Sequence, residues 1–282
     1  MRRLSRFGYA ALGLLAAAVW AFPVYWMVAT AFKPGRDMYS ATPQLVPLHP
    51  TGQNFSSVLG DETFWQAAGN TLLATVLTVV LAMIVAFGAA VAVARFRFGG
   101  RRSFLLGILI MKMVPSIALV IPIFLTLTEI QEASLGTLQL TDAVPGLVIA
   151  YLAFALPFAV WALRGFVMGV PPELEEAAMI DGCSQVQAFW RVTLPLIVPG
   201  LVATSIFTMI LAWNEYLITY FLISSPEQYT LPLWLTHFVT TEGTSFGPLM
   251  AGATIIATPV AIFFMFVQRN LARGLTAGAV RG

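Results

Sequence analysis

The sequence predicts an all-α integral membrane protein with six transmembrane helices, on three observations. The 282 residues are 59% hydrophobic and 10% charged, with a mean hydropathy of +0.84, whereas a soluble domain carries roughly 25% charged residues. Several long runs contain no Asp, Glu, Lys or Arg at all, and about 20 apolar residues suffice to cross roughly 30 Å of hydrocarbon. The few cations fall mainly between alternate runs, which gives the spans a direction.

The charge-free runs are 7–32, 63–94, 143–163, 192–214 and 243–268, and a sixth, 103–128, is interrupted only by Lys112. They place helices near 9–31, 67–94, 104–128, 144–166, 200–224 and 248–268. Arg2, Arg3 and Arg6 ahead of an apolar run have the form of a signal peptide. The run is too long, and Trp20, Phe22, Tyr25 and Trp26 stand where small residues would permit cleavage, so the first helix is read as retained. With the N-terminus inside, Arg2, Arg3, Arg6, Arg95, Arg97, Arg101, Arg102, Arg164, Arg191, Arg269, Arg273 and Arg281 lie on the cytoplasmic side and only Lys33 and Arg36 lie outside. That asymmetry puts both termini in the cytoplasm.

Three loops stand out. Residues 33–62 hold Pro34, Pro43, Pro47 and Pro50, too irregular for a lipid-exposed span. Residues 226–246 form a second long outer loop with Tyr229, Pro232, Trp234 and His237. The inner loop 167–199 is longer than a tight connection needs and carries four of the thirteen acids.

Several chemistries are excluded. The net charge of +2 offers no nucleic-acid footprint. A single cysteine, Cys183, forms no internal disulfide and no multi-thiolate metal site. His49 and His237 both lie in outer loops, so no buried nucleophile–histidine pair assembles. A P-loop needs Gly-Lys-Ser/Thr, yet Lys33 precedes Pro34 and Lys112 precedes Met113. If transport here uses ATP, a partner binds it. Apart from Arg164 at the cytoplasmic end of its helix, Lys112 and Glu215 are the charged residues within the predicted spans, at mismatched depths, which argues against a proton relay. Glu215 is expected near the outer interface, and Lys112 is expected to snorkel or face a cavity. Pro115, Pro122, Pro157 and Pro259 are expected to bend helices around a path. Gly165 and Gly169 have the spacing of a close helix crossing.

The inner loop reads as two short helices. Pro171–Gly182 has proline and acids in its first turn and glycine at its stop. Ser184 with Gln187 three residues later is a capping box opening the second, and Leu194-Pro195 and Pro199-Gly200 mark the entry to helix five. Leu174, Ala177, Ala178 and Asp181 share a face at helical spacing, and the two alanines permit close approach by another surface.

These residues resemble a known signature. Glu176-Ala177-Ala178, then Gly182, Val192 and Leu194-Pro195 match the spacing of the EAA motif of bacterial ABC-importer permeases. Val192, where isoleucine is usual, is a conservative departure. The tail Gly274-Leu275-Thr276-Ala277-Gly278 through Gly282 is similar to that of the second membrane subunit of maltose-type sugar importers. So are Trp213-Asn214-Glu215-Tyr216, Ser224-Ser225-Pro226-Glu227, Thr230-Leu231-Pro232 and Phe32-Lys33-Pro34.

The resemblance implies a type I importer permease in one domain, 1–282, with a core of 67–268, a coupling loop 167–199 and a cytoplasmic tail 269–282. It implies a sugar, mono- or oligosaccharide, as solute; a polyol or glycerol-phosphate-type solute is the alternative. A stand-alone channel or ion-coupled carrier is the reading of a different class. Glu176, Ala177, Ala178, Asp181 and Gly182 would dock on the ATPase, with Leu194 and Pro195 fixing the exit angle. Gly274, Leu275, Thr276 and Gly278 would reach the ATPase in an extended insert. Tyr151, Trp213, Asn214, Glu215 and Tyr216 are candidates for the solute path, since aromatic faces and hydrogen-bonding groups suit sugars; Tyr220 has the same character. The implied partners are a second permease subunit making a heterodimer, two copies of a cytoplasmic ATPase, an extracytoplasmic sugar-binding protein that meets loop 226–246, and membrane lipid. The chain itself would bind no cofactor; ATP and Mg would sit on the ATPase.

Overall fold

The structure, a computed structural model, describes the backbone of residues 2–40, 42–241 and 243–279 and the side chains of 8–40, 42–241 and 243–265. In chain order the helices are α1 (Arg2–Ala31), α2 (Gly35–Met38), α3 (Gln53–Leu59), α4 (Glu62–Arg95), α5 (Arg101–Met113), α6 (Ser116–Ala133), α7 (Val144–Gly169), α8 (Pro172–Ile180), α9 (Gln185–Ala188), α10 (Leu194–Trp213), α11 (Leu217–Leu222), α12 (Leu231–Trp234) and α13 (Phe246–Ala279). A two-stranded hairpin, β1 (Val239–Thr240) with β2 (Gly243–Thr244), precedes α13. Among the described residues, six segments are long and apolar enough to cross a bilayer: Gly8–Ala31, Glu62–Arg95, Ser116–Ala133, Val144–Gly169, Gln185–Trp213 and Phe246–Met265.

Two of these correct the sequence expectation. The helix placed at 104–128 is two helices, parted at Val114–Pro115. Pro115 has no N–H for the Met111 carbonyl, and the residue before a proline is pushed out of the helical region; Val114 accordingly sits at ψ 125°. The span that crosses is therefore the C-terminal piece. The helix placed at 200–224 instead runs from Gln185 and stops at Trp213. Leu194-Pro195 does not interrupt it, because a π-turn at Phe189–Thr193 precedes α10 and absorbs the missing proline donor. The inner connection is correspondingly shorter than 167–199. At the other end, α13 continues helically to Ala279, beyond the expected stop near 268. Gly274, Leu275, Thr276 and Gly278 lie outside the residues whose side chains are described.

The chain forms two compact units, Met1–Trp65 with Trp234–Pro259, and Gln66–Leu233 with Val260–Gly282. In the first, Trp234 is buried against Phe64, its ring centroid 5.3 Å away, and its indole N–H donates to Thr63 Oγ1 at 2.8 Å. This tryptophan of the outer-loop segment is thus a packing residue. Lys33 is buried too: its ammonium donates to the Gln44 carbonyl at 2.6 Å and lies 4.1 Å from the Trp26 ring centroid. Burial pushes the Lys33 ammonium down, against the opposing pull of Asp37. Asn54 holds the end of α1 by donating to the carbonyls of Ala31 and Lys33.

The second unit is organised around α7, which is apolar except for Arg164 in its last turns and is the most buried span. Leu147, Val148, Ala150 and Tyr151 pack with Val120, Leu127, Ile218, Leu222 and Leu233, while Ala159, Val160 and Leu163 pack with Ala86, Ala90 and Ile108. The close crossing is at Gly200 on α10, where a Cβ would fall 2.3 Å from the Phe166 ring. The Gly165–Gly169 pair does not perform that role, since a Cβ at either meets nothing within 4 Å.

Candidate functional site

The segment joining α7 to α10 builds the first candidate site. Pro172 opens α8 where its missing N–H costs nothing, and Glu173 and Glu175 sit at the positive end of the helix. The helix ends in a Schellman motif: the Cys183 N–H donates to the Ala178 carbonyl at 3.0 Å and the Gly182 N–H to Met179 at 3.1 Å. Gly182 holds φ at +92°, the left-handed conformation this stop requires. Ser184 then caps α9 reciprocally, its Oγ accepting the Gln187 N–H while Gln187 Oε1 accepts the Ser184 N–H.

Along α8 the predicted docking residues Glu176 and Ala177 are exposed with Asp181 and Gly182, and Ala178 is half-buried. Leu174, Met179, Ile180, Val186 and Trp190 add exposed apolar surface to the same segment. Leu194 is half-buried and packs against Val167, Val170 and Ile197, and Pro195 is exposed near the start of α10.

Sequence reading missed what fixes α8 in place. Glu175, with its side chain 15% exposed, forms an ion pair with Arg95 at 2.8 Å and accepts from the Thr193 hydroxyl. Arg95 also donates to the Val170 carbonyl at 3.1 Å. One carboxylate therefore ties α8 to the end of α4 and to the turn before α10. Arg95 was legible as a side-marking charge, but nothing in its neighbourhood names a partner eighty positions away.

The second candidate site is the break after α10. The Asn214 N–H and side-chain amide both donate to the Ile210 carbonyl, at 3.2 and 2.8 Å, closing α10. Glu215 Oε1 accepts the Ile218 N–H at 3.0 Å and so opens α11. The pair ends one helix and starts the next. Trp213, Glu215 and Tyr216 are half-buried and Asn214 is exposed; Tyr216 packs against the core and stacks 5.7 Å from the exposed Tyr220. Tyr151 is elsewhere: it is 4% exposed, and its hydroxyl shares a 2.6 Å hydrogen bond with Thr219. It is a core residue and lines no open surface of this chain. Lys112 and Glu215 are not paired with one another, since Lys112 lies over the Phe158 ring.

The connections near α11 are pinned by residues that carried no sequence signal. Asp142 sits at φ +55° and accepts the N–H groups of Ser224 and Ser225, at 2.8 and 2.9 Å, and the Ser225 hydroxyl. Burial pushes the Asp142 carboxyl up, but these three donors together hold it below the usual carboxylate value. Asn70 donates to the carbonyls of Glu227 and Tyr229, and Thr71 Oγ1 accepts the Leu231 N–H at 2.7 Å. The described residues contain no cluster of His, Cys, Asp and Glu arranged to hold a metal ion.

Comparison with known proteins agrees with this architecture. Residues 82–277 match the family model described as binding-protein-dependent transport system inner membrane component. The diacetylchitobiose uptake system permease protein of Streptomyces coelicolor is 44% identical over 93% of this chain and 92% of its own length. The trehalose transport system permease protein of Mycobacterium tuberculosis is 34% identical over 97% of each. A chain from the crystal structure of a bacterial ABC transporter that imports the acidic polysaccharide alginate superposes with a TM-score of 0.77 at 25% identity, covering 95% of this chain and 96% of that one. A multi-pass helical chain, matched by the family model over most of its length and by curated relatives over nearly all of it, belongs to the inner membrane components of binding-protein-dependent transport systems, the ABC-importer permeases.

Proposed function

We propose that this permease forms half of the translocation path of an ATP-driven carbohydrate importer, with a second permease subunit forming the other half. The observation that carries the coupling is α8, a short helix with small residues on its face, a fixed stop and a half-buried carboxylate strut. The sugar assignment rests on the relatives named for diacetylchitobiose and trehalose. The excess of cations in alternate connections supports cytoplasmic termini and a cytoplasmic α8. The chain has no Gly-Lys-Ser/Thr sequence, so ATP and Mg are bound by two copies of a partner ATPase. The extracytoplasmic binding protein delivers solute to the opposite side.

Physically, the ATPase seats on Glu176, Ala177, Ala178 and Asp181. When it closes, α8 moves as a rigid body because its stop is fixed at Gly182 and its body is tied down through Glu175. Glu175 passes the displacement to α4 through Arg95 and to the start of α10 through Thr193. Rigid-body rocking of helices about a fixed path is the standard way such movement opens one face and closes the other. The break at Asn214–Tyr216 gives α10 and α11 separate ends that can respond independently.

The test is ATP-dependent uptake of N,N′-diacetylchitobiose into vesicles holding both permease subunits, the ATPase and the binding protein. Glu176→Lys and Gly182→Pro abolish uptake while the chain still inserts and co-purifies. Unchanged uptake overturns the docking assignment, and transport by the purified chain alone returns the carrier reading.

A further inference from the structure

The break between α5 and α6 opens a cleft of about 290 Å³ lined by Lys112, Ser116, Phe154, Pro157, Phe158 and Leu211, among others. Three features set it apart from an ordinary packing defect. Lys112 lies in the last turn of α5, beside the break that precedes the crossing helix α6, and a cation there is costly wherever it faces hydrocarbon. Its position in the last turn of α5 suits the negative end of that helix. The ammonium nevertheless points across to α7 and lies 4.8 Å from the Phe158 ring centroid. Finally, two prolines meet at this cleft: Pro115 separates α5 from α6, and Pro157 lies inside α7 on the cleft wall. Pro115 supplies no helical N–H to the carbonyl of Met111, a residue that lines the cleft. Broken helices at membrane depth are where transporters expose backbone groups to a solute.

We propose that this cleft is a solute subsite of the translocation path, and that Lys112 makes it selective for neutral or anionic glycan units over cationic amino sugars. The inference rests on the sugar-importer reading and assigns a position to the contact. Phe158 and Phe154 offer faces to the apolar C–H side of a sugar ring. The Lys112 ammonium and the Ser116 hydroxyl donate to its hydroxyl or carboxylate oxygens, and the Met111 carbonyl accepts from a hydroxyl. Lys112 is the charged residue among those lining the cleft, so a protonated amine entering it meets repulsion with no carboxylate to offset it. The volume lies at the small end of ligand sites, about 300 Å³ and upward. It suits one sugar unit of a longer chain, not a whole oligosaccharide.

The experiment uses the complete importer in vesicles, with Cys183→Ser removing the one native thiol. Lys112→Cys, or Ser116→Cys should the first fail to assemble, is exposed to a membrane-impermeant anionic methanethiosulfonate, and modification is followed by intact mass. The proposal expects labelling whose rate differs between the nucleotide-free and the ATP–vanadate-trapped importer and falls when binding protein loaded with N,N′-diacetylchitobiose is present. In uptake, Lys112→Met loses about tenfold or more, the scale of one charged hydrogen bond, and Lys112→Arg restores most of it. Labelling that is absent in every state, as beneath a partner subunit, overturns the proposal, and so does labelling that ignores both nucleotide and solute. If the unsubstituted importer transports no mono- or oligosaccharide, the sugar reading fails. State-dependent labelling would still mark the cleft as part of the path.

Discussion

Glu175 and Asp142 do the same structural work with opposite chemistry. Each is a half-buried carboxylate that ties together segments distant in sequence. Glu175 does so through a cation, Arg95, with the Thr193 hydroxyl beside it. Asp142 uses no cation: two backbone N–H groups and one hydroxyl surround it. An ion pair tolerates sliding, because attraction between charges falls off slowly with distance, whereas hydrogen bonds to backbone N–H groups weaken steeply outside a narrow range of angles. The contrast teaches where movement is built in. The α8 anchor is suited to passing on a displacement, and the Asp142 anchor to holding α11 and the following connection still.

The comparison breaks most visibly at Arg95. Arg95→Met leaves Glu175 without its cation in a site where both side chains are about 15% exposed. The expected cost is about 2–3 kcal/mol, seen as a lower thermal midpoint in detergent, together with ATPase activity that no longer drives uptake. Adding Glu175→Gln recovers part of the stability and none of the coupling; a double-mutant cycle measures both. Asp142→Ala removes three accepted hydrogen bonds and is expected to cost about 1–3 kcal/mol, with the ATPase still coupled in whatever fraction remains folded.

Acid sharpens the contrast further. The Asp142 carboxyl is held below its ordinary value, so its contribution is fully present above the unfolded-state value, about 3.9 for aspartate. It is lost as pH falls through the lower folded-state value. Thermal midpoints measured across that window therefore drop, and Asp142→Asn flattens the drop. The smallest effects lie in the capping of α8 and α9. Gly182→Ala places a side chain at φ +92° and costs about 1 kcal/mol or slightly more. Ser184→Ala removes the capping box at a cost of about 1 kcal/mol or less. Either change lowers the midpoint slightly, and only Gly182→Ala also reduces uptake per ATP, because only that residue sets the direction in which α8 ends.

Local signals in this chain were readable and distant ones were not. The proline, acids and glycine of α8 and the Ser184–Gln187 box act within a few residues, so the sequence announces them and the structure reproduces them. Pro115 was read as a bend yet separates two helices, because it has no N–H for the Met111 carbonyl and pushes Val114 out of the helical region. Leu194-Pro195 was read as the entry to helix five, and α10 does open at Leu194, but the π-turn that joins it to α9 was invisible to a 3.6-residue period. Asn214 and Glu215 interrupt an apolar run and drew attention as solute contacts. Their first role is to cap two helices, which is what short polar side chains beside free backbone groups do. Arg95, Glu175 and Asp142 depend on partners about eighty positions away, and one sequence contains no trace of such pairing. Tyr151 shows the converse: a residue chosen for its chemistry is committed to the core by Thr219.

The claim at the centre is that α8 seats on an ATPase whose closure it transmits. Ala178→Cys in a Cys183→Ser background, assembled with its partner subunits and treated with a short thiol cross-linker, measures that seating directly. The account predicts a cross-link from residue 178 to a cysteine introduced in the ATPase surface that receives α8, with its yield changing between nucleotide-free and ATP–vanadate states. A chain that co-purifies with the ATPase and imports sugar, yet yields no such cross-link at any position of α8 in either state, would contradict it.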